Sequence, residues 1–207
     1  MLPEGTDSVG ELRYRLRCID KLGHAFRGDE RLLDIGAGDG GVARLLRERV
    51  AEVVAIDVEP SDEWRNGDGV SFSVADAEEL PFGDEEFDLI HSKDSLHHME
   101  DPDRAIHEYR RVLKSGGIAL IVEANRYNPI FFVHMTKKLG HEHFSQTRFR
   151  NLVRSAFPDT RFGTFEARLV PQAERMLKVQ EGVENTLERV PGLSRIAAYN
   201  FAVAAKS

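Results

Sequence analysis

The chain has 207 residues, 41 % of them hydrophobic and 30 % charged, a composition that suits a single globular domain and excludes a disordered polymer. Lys and Arg number 28 against 35 Asp and Glu, a net charge of −7, which argues against a general nucleic-acid binder because phosphate backbones demand a basic surface. The single cysteine, Cys18, excludes an internal disulfide and a cysteine-cluster metal site.

Residues 9–26 have helical composition. Residues 31–35 (RLLDI) are short, apolar and end at glycines, which predicts a buried strand. Residues 41–50 place Val42, Leu45, Leu46 and Val50 on one helical face. Strands follow at 52–57 (EVVAID), 70–75 (VSFSVA) and 87–91 (FDLIH). A helix is expected at 103–113, then a turn at Gly116-Gly117 and a strand at 118–123 (IALIVE). Ser145 caps a predicted helix at 146–156, which Pro158 stops. Residues 161–169 and 198–204 look like strands, with a helical stretch at 171–189 between them. Strands alternating with helices indicate a mostly parallel sheet wound on both faces by helices, a Rossmann-like α/β fold. The expected organisation is one domain over 1–207: a helical cap (1–29), a cofactor-binding core (30–125) and an acceptor-side segment (126–207) with the 171–189 insertion.

No run approaches the roughly 18 apolar residues of a membrane span. Residues 1–30 lack the basic-then-apolar order of a secretory signal. The expectation is a soluble cytoplasmic protein with no stable membrane insertion.

The segment Asp34-Ile35-Gly36-Ala37-Gly38-Asp39-Gly40-Gly41 follows a strand and opens a helix. Its Gly36-x-Gly38-x-x-Gly41 spacing fits the dinucleotide fingerprint. Asp34 changes the reading. A dinucleotide sets a pyrophosphate against this loop, where a nearby carboxylate repels it. S-adenosylmethionine (SAM) has no phosphate, and its ammonium suits that carboxylate. Asp57 ends the second strand, where it can accept from ribose hydroxyls in either ligand. Asp76 follows the third strand and can accept from an adenine amino group. Ligands of open parallel sheets bind beyond the carboxyl ends of the strands, where these acids lie.

With LLDIGAGDGG, the acid of VVAID, and the stretch from ADAEELPF to GGIALIVEAN in place, the sequence resembles the class I SAM-dependent methyltransferases. It is similar in particular to the broad group containing the quinone C-methyltransferases. The resemblance covers roughly residues 30–156. It implies a seven-stranded sheet with an antiparallel last strand, supplied by residues 198–204. It implies that Asp34, Gly36, Ala37 and Gly38 line the methionine part of SAM, that Asp57 holds the ribose with Val58 against the adenine, and that Asp76 and Ala77 bind the adenine. Ser92 and Lys93 then face the sulfonium, and Leu96-His97-His98 begins the next helix. After the fourth strand stands His91-Ser92-Lys93-Asp94, not the Asn/Asp-Pro-Pro-aromatic tetrapeptide of adenine and glutamine N-methyltransferases, which speaks against amide or exocyclic-amine methylation.

Methyl transfer from a sulfonium is an in-line displacement that needs alignment, exclusion of water and, for some acceptors, removal of a proton. Base candidates are His98, His143 and Tyr127, followed by His134 and His141. His141-Glu142-His143 has the look of a metal pair, but a loop histidine pair is more often surface, so no metal is expected. The acceptor is expected to be a small molecule, such as a lipid, glycolipid or specialised metabolite, held by the N-terminal helix and residues 125–144 and 171–189. The product would be S-adenosylhomocysteine (SAH). An NAD-dependent oxidoreductase and a non-catalytic partner protein of the same fold remain as alternatives. A nucleic-acid methyltransferase ranks below them, resting only on Arg148, Arg150 and Arg154.

Overall fold

In the computed structural model, the described residues are 9–67, 69–129, 132, 143–167, 177–190 and 192–207. The chain runs α1 (Val9–Asp20), β1 (Arg31–Ile35), α2 (Gly41–Arg47), β2 (Glu52–Asp57), β3 (Val70–Val74), β4 (Phe87–Lys93), α3 (Pro102–Val112), β5 (Leu113–Ala124), α4 (Gln146–Ala156), β6 (Thr160–Phe165), α5 (Leu177–Arg189) and β7 (Tyr199–Ala205). Short 3-10 turns sit at Leu96–His98 and Leu193–Ile196. Among the described residues no helix is long and apolar enough to cross a membrane.

The strands form one seven-stranded sheet in the order β3-β2-β1-β4-β5-β7-β6. The pairings β1–β2, β1–β4, β2–β3 and β4–β5 are parallel, and β7 runs antiparallel to both neighbours. The last strand in sequence therefore inserts between β5 and β6. Order reverses between β1 and β4, which opens a crevice at the carboxyl ends of those strands.

Side-chain alternation divides β5 between two cores. Ala119 and Ile121 join Leu33, Ile35 and Ile90 against α3 and α4. Leu120 and Val122 pack on the other face with Tyr14 and Cys18 of α1. Helix α2 covers Leu32, Val53 and Ala55 on that second face through Ala43 and Leu46. Helix α3 buries Ala105, Ile106, Tyr109 and Val112, a helical stripe, and Asp101 caps it by accepting from the Arg104 amide. Helix α4 buries Phe149, Leu152, Val153 and Ala156 beneath its Ser145 cap.

Several boundaries depart from the sequence expectation. Helix α1 ends at Asp20 instead of continuing to residue 26, and α2 ends at Arg47. Strand β3 stops at Val74, β4 runs on to Lys93, and β6 ends at Phe165. The Gly116-Gly117 turn is an excursion inside a long β5. Phe87 pairs with Leu113 and Leu89 with Ile118, so residues 114–117 bulge opposite Asp88. Asp88 anchors that bulge through Lys114 Nζ at 2.9 Å. Leu96-His97-His98 is an isolated turn, because α3 starts only at Pro102. The expected helical stretch at 171–189 is seen from Leu177; residues 171–176 lie outside the described residues.

Candidate active site

The loop after β1 is shaped by its hydrogen bonds to β2. The amides of Gly36 and Ala37 both donate to the Ile56 carbonyl at 2.9 Å. This doubling back requires positive φ at Gly36 (76°) and Gly38 (52°), which glycine adopts without strain. A Cβ on Gly36 would also stand 2.5 Å from Ser95 Cβ. The Gly38 amide donates to Asp57 Oδ2 at 2.9 Å, and the Trp64 indole donates to the Gly38 carbonyl at 2.8 Å. Glycine loop and β2 acid are thus a single hydrogen-bonded unit.

Two clefts flank that unit and share Gly36 and Gly38. The larger, of about 660 Å³, is lined by Ile35, Ile56, Asp57, Val58, Ala75, Asp76, Ala77, Ser95, His98 and Met99, among others. Asp57, Glu59, Asp76, Glu78, Asp94 and Glu100 supply its carboxylates, and among the described residues His98 is the one basic side chain in the lining. Val58 is 64 % exposed at its mouth. The smaller cleft, of about 280 Å³, is lined by Asp34, Ala37, Asp39, Val42, His91 and Lys93 from the core and by Glu11, Tyr14 and Arg15 from α1.

The structure therefore brings together most of the residues singled out from sequence. Gly36, Gly38, Asp57, Val58, Asp76, Ala77 and His98 surround the large cleft; Asp34, Gly36, Ala37, Gly38 and Lys93 surround the small one. Ser92 stands apart: it is fully buried, its hydroxyl 2.6 Å from Ser95 Oγ and 3.1 Å from the Tyr109 hydroxyl. Tyr127 is 55 % exposed and lines neither cleft. His143 is buried with its ring edge-on to His97 at 4.6 Å. His134 and His141 lie outside the described residues, as do Glu142 and most of the 125–144 stretch expected at the acceptor. Within the 171–189 stretch expected at the acceptor, Val179 and Val183 are exposed.

Behind the clefts sits an ionic network that local sequence does not announce. Glu123, at the end of β5, is fully buried. Its Oε1 accepts from the amides of Ser95 (3.1 Å) and Leu96 (2.8 Å), and its Oε2 lies 2.6 Å from His97 Nδ1. Burial alone disfavours the His97 imidazolium, but the Glu123 carboxylate overrides it and holds the His97 pKa above the ordinary histidine value. Burial raises Glu123 above the usual carboxyl range against the pull of His97. Asp94, in the left-handed region at φ 52°, accepts from the Ala124 amide at 3.0 Å and pairs with Lys93 Nζ. Lys93 also sits over the rings of Tyr14 and Tyr199 (5.1 and 5.3 Å). Desolvation opposes its charge, yet Asp94 carries its pKa well above the usual ammonium value. Asp94, His97 and Glu123 each place a ligand atom within 4.8 Å of the others. The Asp94 and Glu123 carboxylates already accept from protein donors, and His97 Nδ1 is paired with Glu123 Oε2, so the cluster is an ion-pair network that fixes the turn carrying His98.

Helix α1 closes the small cleft. Arg15 grips Asp39 of the glycine loop with two bonds, 2.9 and 2.6 Å. Arg17 of the same helix pairs with Glu184 of α5 at 2.8 Å, and Lys21 pairs with Glu188. The N-terminal helix thus links the glycine loop to the late helical insertion. Arg15 and Asp39 are 24 positions apart, and no local sequence signal pairs them.

Residues 33–121 match the family described as a methyltransferase domain. The uncharacterized methyltransferase YcgJ of Bacillus subtilis is 37 % identical over 105 residues, covering 47 % of this chain and 42 % of that protein. The ubiquinone/menaquinone biosynthesis C-methyltransferase UbiE of Xanthomonas oryzae pv. oryzae is 36 % identical over 131 residues, covering 54 % of this chain and 52 % of UbiE. The chain thus spans about half the length of these relatives. A chain in the complex between the Haloferax volcanii Trm112 methyltransferase activator and a methyltransferase superposes with a TM-score of 0.70 at 18 % identity, covering 95 % of this chain and 90 % of that one. That likeness is one of fold.

Proposed function

We propose that this protein, whose residues 33–121 match the family described as a methyltransferase domain, is a class I SAM-dependent methyltransferase that moves the methyl group of SAM to a small-molecule acceptor. The observation that carries the proposal is the charge of the large cleft. Six carboxylates and one histidine line it. That environment suits a cationic adenosine ligand and repels a pyrophosphate.

The residues present fit SAM. Asp57 lines a cleft shared with Gly36 and Gly38, and its carboxylate, which accepts from the Gly38 amide, has further lone pairs that can accept from ribose hydroxyls. Asp76 and the backbone beside Ala77 stand where an adenine edge would be read, with Val58 and Met99 as apolar walls. Asp34 is 2 % exposed and its Oδ2 has no hydrogen-bond partner among the described residues, which matches a carboxylate kept for a ligand cation. Bound SAM supplies a methyl carbon already activated by the sulfonium.

The chain's own contribution is alignment and exclusion of water. The acceptor nucleophile would displace the sulfur in line, the sulfur keeping the electron pair of the broken bond, so the residues of the cleft would have to hold the acceptor opposite the carbon–sulfur bond. His98 lines the cleft and can take the acceptor's proton where the acceptor has one to lose. His143 is not in the cleft lining and packs edge-on against the His97 ring, so any part it has in proton transfer would be indirect, and Tyr127 lies beyond the described cleft walls, beside the segment proposed to meet the acceptor. We read residues 1–29 as a cap, 30–125 as the cofactor core and 126–207 as the acceptor side.

Calorimetric titration with SAH, with NAD as the control, tests the cofactor. SAH binding without NAD binding supports the reading, and a labelled-methyl screen of small-molecule acceptors then identifies the substrate. NAD binding alone overturns it in favour of hydride transfer. SAH binding with no turnover across that screen assigns the protein to a non-catalytic role.

A further inference from the structure

Asp34 and His91 are direct neighbours on the adjacent strands β1 and β4. They are 2 and 1 % exposed, and His91 Nδ1 lies 2.7 Å from Asp34 Oδ1. Neither Asp34 Oδ2 nor His91 Nε2 has a hydrogen-bond partner among the described residues. A buried carboxylate oxygen with no donor is costly, and folds keep such groups where a ligand completes them. Both residues line the small cleft. The two cations that share that cleft are committed elsewhere, Lys93 to Asp94 and Arg15 to Asp39.

We propose that His91 is a positioning residue for the amino-acid end of the cofactor. With its proton on Nδ1 it donates to Asp34 Oδ1 and holds the carboxylate so that Oδ2 receives the α-ammonium of SAM or SAH. The assignment of that proton follows from the acceptor opposite it. The geometry also says what His91 prevents. Lys93 lies two residues further along β4, on the same face of the sheet. Without the His91 donor, Asp34 is free to turn toward the Lys93 ammonium, and an internal ion pair then competes with the ligand. This inference rests on the SAM reading above.

Methylthioadenosine provides the test, because it keeps the adenosine and the thioether of SAH and lacks the amino-acid part. Dissociation constants for both ligands are measured on the full chain and on His91→Phe and His91→Asn. His91→Phe is expected to weaken SAH by about 30-fold and methylthioadenosine by less than about threefold, since only one charge-assisted contact is lost. His91→Asn, whose amide can donate to Asp34 Oδ1, is expected to return SAH to within about fivefold of the parent. An unchanged ratio between the two ligands in both variants overturns the inference, as does an equal loss of both ligands in His91→Asn. If the parent protein binds neither ligand, the SAM reading itself fails. If it binds both and the ratio does not move, the SAM reading stands and the role of His91 falls.

Discussion

Arg15 of α1 and Asp39 of the glycine loop form a two-bond ion pair, 2.9 and 2.6 Å, across the small cleft. The N-terminal helix is thereby fastened to the loop proposed to meet the cofactor. The Arg15 guanidinium holds the Asp39 carboxyl below its ordinary value, against the opposing effect of partial burial. A depressed folded pKa contributes stability above the unfolded value near 3.8, and that contribution is lost as pH falls through the folded value. The Asp39 side chain is half exposed, so solvent screens the pair. Arg15→Ala is expected to cost about 1 kcal/mol at neutral pH in urea unfolding, and progressively less in acid as pH falls below 3.8 and Asp39 is protonated. It is also expected to hasten proteolytic cleavage within α1. An equal cost at neutral and acid pH would show that the lost packing of the Arg15 stem matters more than its charge.

The glycine loop gives a sharper expectation at Gly36. Its φ of 76° and the 2.5 Å approach to Ser95 Cβ leave no room for a methyl group. Gly36→Ala is expected to destabilise the fold by about 3 kcal/mol, combining left-handed strain with overpacking. Thermal unfolding measures it. Gly28→Ala is a useful comparison: it shares a positive φ, but a Cβ there would meet nothing within 4 Å, so its cost is expected to be about 1 kcal/mol, from strain alone.

For the proposed ribose contact, Asp57→Ala is expected to weaken SAH by at least about 100-fold, since two charge-assisted hydrogen bonds contribute about 3 kcal/mol or more. Asp57→Asn keeps an acceptor for the Gly38 amide and is expected to lose less. Calorimetry on both variants checks the order. Unchanged SAH affinity in Asp57→Ala would remove the basis for placing the ribose at the end of β2.

The His97–Glu123 pair predicts a stability profile. Both groups have folded pKa values above their unfolded ones, so the folded state binds protons more tightly. The stabilisation from His97 is complete below its unfolded value near 6.5 and is lost as pH rises through the raised folded value. His97→Gln is therefore expected to cost about 3 kcal/mol at about pH 5.5 and less at about pH 9. Denaturant titrations of parent and variant across that range supply the comparison. A gap that widens with pH would mean that His97 acts as a neutral hydrogen-bond donor to Glu123.

Much of the architecture around the two clefts was legible in the sequence because it is written in local signals. The strand 31–35, the glycines after it, Asp57 at the end of β2 and the Ser145 cap depend on residues within a few positions of one another. The helices α3 and α4 follow from apolar spacing that any amphipathic helix shows. Boundaries were less legible where long-range contacts override local preference. Strand β5 starts at Leu113 because Phe87 pairs with it across the Asp88 bulge. Leu96–His98 stays a separate turn because Glu123, 26 to 28 positions away, holds the amides of Ser95 and Leu96 and the ring of His97.

By itself, then, the sequence determined the α/β class, the order of strands and helices, and the acids that end the strands, because each is dictated by periodicity and turn chemistry along the chain. Only the tertiary structure decided which of those groups share a cleft. It turned Ser92 toward Tyr109 and left Tyr127 exposed, set His91 against Asp34, and brought Arg15 onto Asp39. Those outcomes depend on strand register and on which face of the sheet each helix covers. Neither is encoded in the spacing of neighbouring residues; both are settled only when the two hydrophobic faces of the sheet are buried together.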